Sequence, residues 1–104
     1  MAQHIGIEKI DEKGIALDRC KINFAIIVNT LYKIDGFQGQ YPWLSGIDPY
    51  GDTIINRIQS QLMIIELLKL RDNMDDMILT QATDEVVSFI KQIDIHQYIK
   101  FIGD

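Results

Sequence analysis

The sequence predicts an α+β fold: a small antiparallel sheet of an N-terminal hairpin plus a C-terminal strand, packed by about three helices. Three observations point there. Apolar residues alternate with a period of two near both ends of the chain, and the stretch between them follows helical spacing. The 104 residues are 47% hydrophobic and 24% charged, which suits one globular domain spanning 1–104 and leaves no room for a second. Isoleucine occurs 20 times and alanine four times, so propensity alone favours strands and periodicity has to place the helices.

Residues 4–10 read as a strand with Ile5 and Ile7 on one face, and Asp11-Glu12-Lys13-Gly14 supplies a turn. Ile15, Leu17 and Arg19 then resume the alternation, giving a hairpin over 3–22. From Phe24 the pattern changes to i, i+3, i+4, i+7 through Ile27, Val28 and Leu31, with Asn23 as the expected N-cap and Asp35-Gly36 as the stop. Residues 35–52 hold four of the seven glycines, both prolines and four of the nine aromatics. That much apolar area predicts a loop folded back over the core. Within it, Trp43 reads as a lid over the core, a role compatible with one ring face offered to a partner.

A helix over 53–71 follows, with Asp52 or Thr53 expected as its cap. Ile54, Ile55, Ile58, Leu62, Ile65 and Leu68 form its expected inward stripe, widened by Ile64, Leu67 and Leu70. A further helix is expected over 75–93, with Ile78, Leu79, Ala82, Val86, Phe89, Ile90 and Ile93 inward. The stretch 96–102 alternates again and predicts a last strand that pairs with the hairpin.

Charge is unevenly placed. The net charge of −5 argues against a nucleic-acid-binding module, which needs clustered Lys and Arg. Residues 72–85 hold Asp72, Asp75, Asp76, Asp84 and Glu85 without a base, and the aromatic loop adds Asp35, Asp48 and Asp52, also without a base. Acids favour helix starts and aid solubility. An acidic face with aromatic anchors also suits capture of a basic partner. The candidate partner-binding residues are therefore Asp72, Asp75, Asp76, Asp84 and Glu85, with Tyr41, Trp43 and Tyr50 as anchors.

Signals for catalysis and for cofactors are weak. Cys20 with His4 or His96 makes a nucleophile pair only if the terminal strands are neighbours, and Cys20 reads better as a small structural residue. One cysteine excludes an internal disulfide and fits a reducing cytosol. His4 and His96 lack a third metal ligand, and Asp48 and Asp52 lack the spacing of a calcium loop. Asp75 and Asp76, as helix neighbours, diverge by about 100°. No phosphate-binding glycine loop is present. No metal, cofactor or catalytic residue is expected. The segment at the start lacks the pattern of a signal peptide and no apolar run reaches the ~20 residues of a membrane span, so a cytoplasmic location is expected.

Two stretches carry a family resemblance: Asp48-Pro49-Tyr50-Gly51-Asp52-Thr53, and Tyr98-Ile99-Lys100-Phe101-Ile102-Gly103-Asp104. Together they resemble small bacterial proteins that end in Tyr-x-Lys-Phe-Ile-Gly-Asp and look like the immunity partners of polymorphic or contact-dependent growth-inhibition toxins. The likeness covers roughly 40–70 and 96–104, and it brings no established binding motif. It implies a non-enzymatic protein that neutralises a cognate toxin domain. An acidic face suggests a nuclease as that toxin, because a groove that holds phosphates is positive. The alternative is a structural or regulatory interaction module, homodimeric or not, with no toxin partner.

Overall fold

The computed structural model describes residues 3–104. In chain order the elements are β1 (Gly6–Asp11), β2 (Ala16–Arg19), α1 (Ala25–Leu31), α2 (Phe37–Gln40), α3 (Pro42–Ser45), β3 (Asp52–Ile55), α4 (Arg57–Asn73), α5 (Met77–Ile90) and β4 (Gln97–Ile102). The strands form one antiparallel sheet in the order β2-β1-β4-β3. The α+β class stands as expected, but the sheet has four strands rather than three.

The hairpin forms where the alternation places it. Gly14 turns the chain at φ +84°, and Asp11 Oδ1 accepts from the Lys13 and Ile15 backbone N–H groups at 2.9 Å each. β4 lies beside β1 in register from Gly6↔Ile102 to Asp11↔Gln97. The inward rows, including Ile7, Ile55, Ile99 and Phe101, pack against the helices in one apolar cluster that also takes in Phe24, Ile27, Leu31, Leu67 and Leu70.

The N-cap of α1 is Phe24, whose side chain makes no capping hydrogen bond, and the expected cap Asn23 lies one residue before it, where it ties two segments together. Its Oδ1 accepts from both Ala25 N and Ile5 N at 3.0 Å, and its Nδ2 donates to Gln3 O at 2.9 Å. The start of α1 is thereby tied to the approach to β1.

The long middle helix departs from expectation in its start and in its orientation. Residues 52–55 form β3, because the β-branched Thr53, Ile54 and Ile55 pair with β4. The cap is Asn56: its side chain accepts from Gln59 N at 2.8 Å, and Gln59 Oε1 accepts from Asn56 N at 2.9 Å. Neither Asp52 nor Thr53 caps the helix; Thr53 Oγ1 instead accepts from Asp48 N at 3.0 Å. The inward residues of α4 are Ser60, Met63, Glu66, Leu67 and Leu70. Ile54, Ile58, Leu62 and Ile65, expected inside, are exposed, with Ile58 at 70% and Ile65 at 64%.

Glu66 explains the rotation. Its carboxylate accepts from Trp43 N at 3.0 and 3.1 Å and from Leu44 N at 2.9 Å, at the start of α3. α4 is apolar around nearly its whole circumference, so apolar pattern alone cannot choose a face. A carboxylate with two waiting N–H groups can.

The aromatic loop does fold back, and it carries two one-turn helices that its glycines and prolines concealed. Tyr41 lies between them at 1% exposure. Lys69 Nζ stands 4.8 Å over its ring, and Asn73 Nδ2 donates to its hydroxyl at 3.4 Å.

The two stretches behind the family resemblance meet. Gly103 N donates to Gly51 O at 2.8 Å and Asp104 N to Pro49 O at 3.0 Å. A Cβ on Gly103 would stand 2.6 Å from the Pro49 carbonyl and Gly51 N. Asp104 Oδ2 in turn accepts from Gln3 N at 2.8 Å and His4 N at 3.3 Å.

Two stability measurements check these anchors. Glu66→Ala should lower unfolding free energy in urea by about 3 kcal/mol and Glu66→Gln by less, since the amide keeps one acceptor. Gly103→Ala should cost about 2 kcal/mol, because backbone rather than a movable side chain opposes the new methyl. A loss under 0.5 kcal/mol in Glu66→Ala or Gly103→Ala would contradict the corresponding account.

Candidate functional site

The acidic segment folds into the corner where α4 ends and α5 begins. Asp72 lies in the last turn of α4, Asp75 and Asp76 make the connection, and Asp84 and Glu85 lie two turns into α5. All five are exposed. They are not equivalent. Arg71 reaches both sides of the corner, with Nε 3.0 Å from Asp72 Oδ1 and Nη1 2.6 Å from Asp84 Oδ1. The hydrogen bond to Asp84, and then that to Asp72, pushes the guanidinium pKa up and keeps it charged. Asp76 caps α5 by accepting from Leu79 N at 3.0 Å. The carboxylates of Asp75 and Glu85 take part in no hydrogen bond or ion pair among the described residues, and Glu85 turns toward the end of β2, lining a cavity with Arg19, Cys20 and Lys21. Beside the α4–α5 connection, Arg71 thus stands with the four acids Asp72, Asp75, Asp76 and Asp84, which leaves the corner negative.

An apolar pair lies among these acids. Met77 and Ile78, in the first turn of α5, are 76% and 69% exposed. Seven residues make nearly two full turns, so Met77 shares a side with Asp84 and Ile78 with Glu85. Ile78, expected inward, is rotated about 100° away from Leu79, which reaches the core as expected together with Ala82, Val86 and Ile90. Met77 was not singled out by the sequence reading. The cue available for it was its position immediately after a capping Asp.

The expected aromatic anchors are not gathered here. Tyr41 is buried, which removes it as a contact residue. Trp43 packs against the core with part of its ring exposed and its backbone N–H held by Glu66, so the lid role fits it. Tyr50 is 63% exposed but belongs to the 48–51 turn, whose Asp48 Oδ1 accepts from Tyr50 N at 2.9 Å. Its neighbour there is Tyr32, whose hydroxyl pKa is pushed up by burial first and then by Tyr50 and Asp48.

The chain matches no protein-family model, no curated protein and no solved structure.

What the site can do thus follows from its own chemistry. Cys20 is half-buried, and burial, with a contribution from Glu85, pushes its thiol pKa up, away from an activated nucleophile. His4 and Cys20 line one cavity with Arg19 and Lys21, whereas His96 Nδ1 pairs with Glu12 at 2.5 Å beyond the hairpin turn. Asp48 and Asp52 are engaged separately, Asp52 with Lys100 Nζ at 3.6 Å. Among the described residues no group of three His, Cys, Asp or Glu is placed to hold a metal ion, and no helix is long and apolar enough to cross a membrane.

The division of labour among the acids is measurable. Asp76→Ala should cost about 1 kcal/mol as a lost cap, whereas Asp75→Ala should change stability by less than about 0.5 kcal/mol. Equal losses in thermal melts would contradict it.

Proposed function

We propose that this chain is a non-enzymatic immunity protein that binds a basic bacterial toxin domain, a nuclease, and occludes its substrate groove. The observation that supports this reading best is the α4–α5 corner, where the exposed acids Asp72, Asp75, Asp76 and Asp84 lie near the exposed pair Met77 and Ile78, with Glu85 further along α5. Interfaces gain affinity from a few apolar anchors and gain encounter rate from surrounding complementary charge. A groove built for phosphates offers the matching positive field. The resemblance of the 48–53 and 98–104 stretches to immunity partners points the same way. Since the proposed target acts on nucleic acid, the protein would meet it in the cytoplasm.

In this reading Asp75 and Glu85, whose carboxylates make no ion pair, steer the encounter, and Met77 and Ile78 are buried on docking. Asp72 and Asp84 keep Arg71 between them and contribute a smaller field.

The test is co-purification with the product of the neighbouring upstream gene, at low and at high salt. Binding should weaken at least tenfold with salt, and Asp75→Lys with Glu85→Lys should weaken it by a similar factor at low salt. Met77→Asp should abolish capture without lowering the melting temperature. The reading fails if the upstream product is not a toxin, or if a complex forms that ignores all three substitutions.

A further inference from the structure

α4 is apolar on two sides, and its own chain covers only one of them. Met63, Leu67 and Leu70 face the core, while Ile58, Leu62 and Ile65 are exposed on the outer side. A helix that is apolar all round is one that is covered all round. Along the outer side Ile58, Gln61, Ile65, Leu68 and Asp72 recur at steps of three and four residues, the spacing with which one helix meets another. Leu68 is half-buried and the others are exposed. α4 spans Arg57–Asn73, so Ile65 is its midpoint.

The two ends of this face carry opposite charge. At the start of α4, Arg57 and Lys91 line one cavity with a single acid, Asp94, and neither base makes an ion pair among the described residues. At its end lie Asp72 and, in the connection to α5, Asp75 and Asp76. Of the bases there, Arg71 spans Asp72 and Asp84, and Lys69 lies over the Tyr41 ring. A second copy laid along the face in the same direction would bring the two acidic ends together. Turned end for end about a two-fold axis at Ile65, it brings each acidic end to the other chain's basic end. Arg57 of one chain then faces Asp72 of the other, Leu62 meets Leu68, and Ile65 meets its own copy. The helix dipoles also oppose one another in this arrangement. We propose that the outer face of α4 packs antiparallel on the same face of a second copy. The proposal does not rest on the toxin reading, whose apolar contacts lie on α5.

Size sets the expected strength. The 17 residues of α4 make a helix about 25 Å long, and one side of it is a strip about 10 Å wide. Such a strip falls short of the ~800 Å² that each partner buries in a standard stable interface. The dimer should therefore form reversibly in the micromolar range.

Sedimentation velocity over a range of concentrations reads this directly. Wild type should shift from monomer to dimer as concentration rises. Ile65→Lys sets two like charges against each other at the axis and should weaken self-association at least about tenfold. Its side chain is exposed and lysine suits a helix, so circular dichroism should show an unchanged fold. Arg57→Glu and Asp72→Lys should each weaken the dimer too, since each places like charges opposite one another. Mixed in equal amounts, these two variants should recover it, because both end contacts of the mixed pair are again between opposite charges. Asp72 also serves Arg71 within its own chain. If Asp72→Lys does not fold, Ile65→Lys and Arg57→Glu, both expected to be weakened, decide the matter. A wild type that stays monomeric at every concentration overturns the proposal. So does a folded Ile65→Lys or Arg57→Glu variant that dimerises like wild type, or a mixture that fails to recover the dimer from two folded variants.

Discussion

The structure depends on one buried carboxylate. Glu66 sits in the middle of α4 and faces inward, where it receives the Trp43 and Leu44 backbone N–H groups. Those groups begin a one-turn helix and have no partner within it. An ionised carboxylate taken out of water without such donors is costly, so the helix and the loop stabilise each other only together. The consequence spreads. Turning Glu66 inward also turns Met63, Leu67 and Leu70 onto the core and sends Ile58, Leu62 and Ile65 to the surface. It also holds the loop that buries Tyr41 against Lys69 and Asn73.

The hairpin, α1 and β4 were legible because each has one period and one apolar side. Ile5 and Ile7 alternate, and Phe24, Ile27, Val28 and Leu31 leave no second face to choose. α4 was legible as a helix but not in its orientation, since isoleucine and leucine stand on both sides of it and the deciding residue is a charged one. The missed strand β3 had two signals: consecutive β-branched residues at 53–55, and Asn56 three residues ahead of Gln59, the pattern of a capping box. The helical stripe that extended through Ile54 and Ile58 outweighed both. At the acidic corner the exposure of the five acids could be read, but Asp76 as a cap and Arg71 as a bridge depend on where α5 returns past α4. Burial of Tyr41 depended on the same long-range packing.

The stretches that carry the family resemblance turn out to hold the chain together. The 48–51 turn and the 103–104 end are locked by two backbone hydrogen bonds and by a contact that leaves no room for a side chain at Gly103. Asp104 extends the lock to Gln3 and His4. These residues therefore report an architecture, and in the proposed reading a partner is recognised by surfaces outside them. The α4–α5 corner is such a surface.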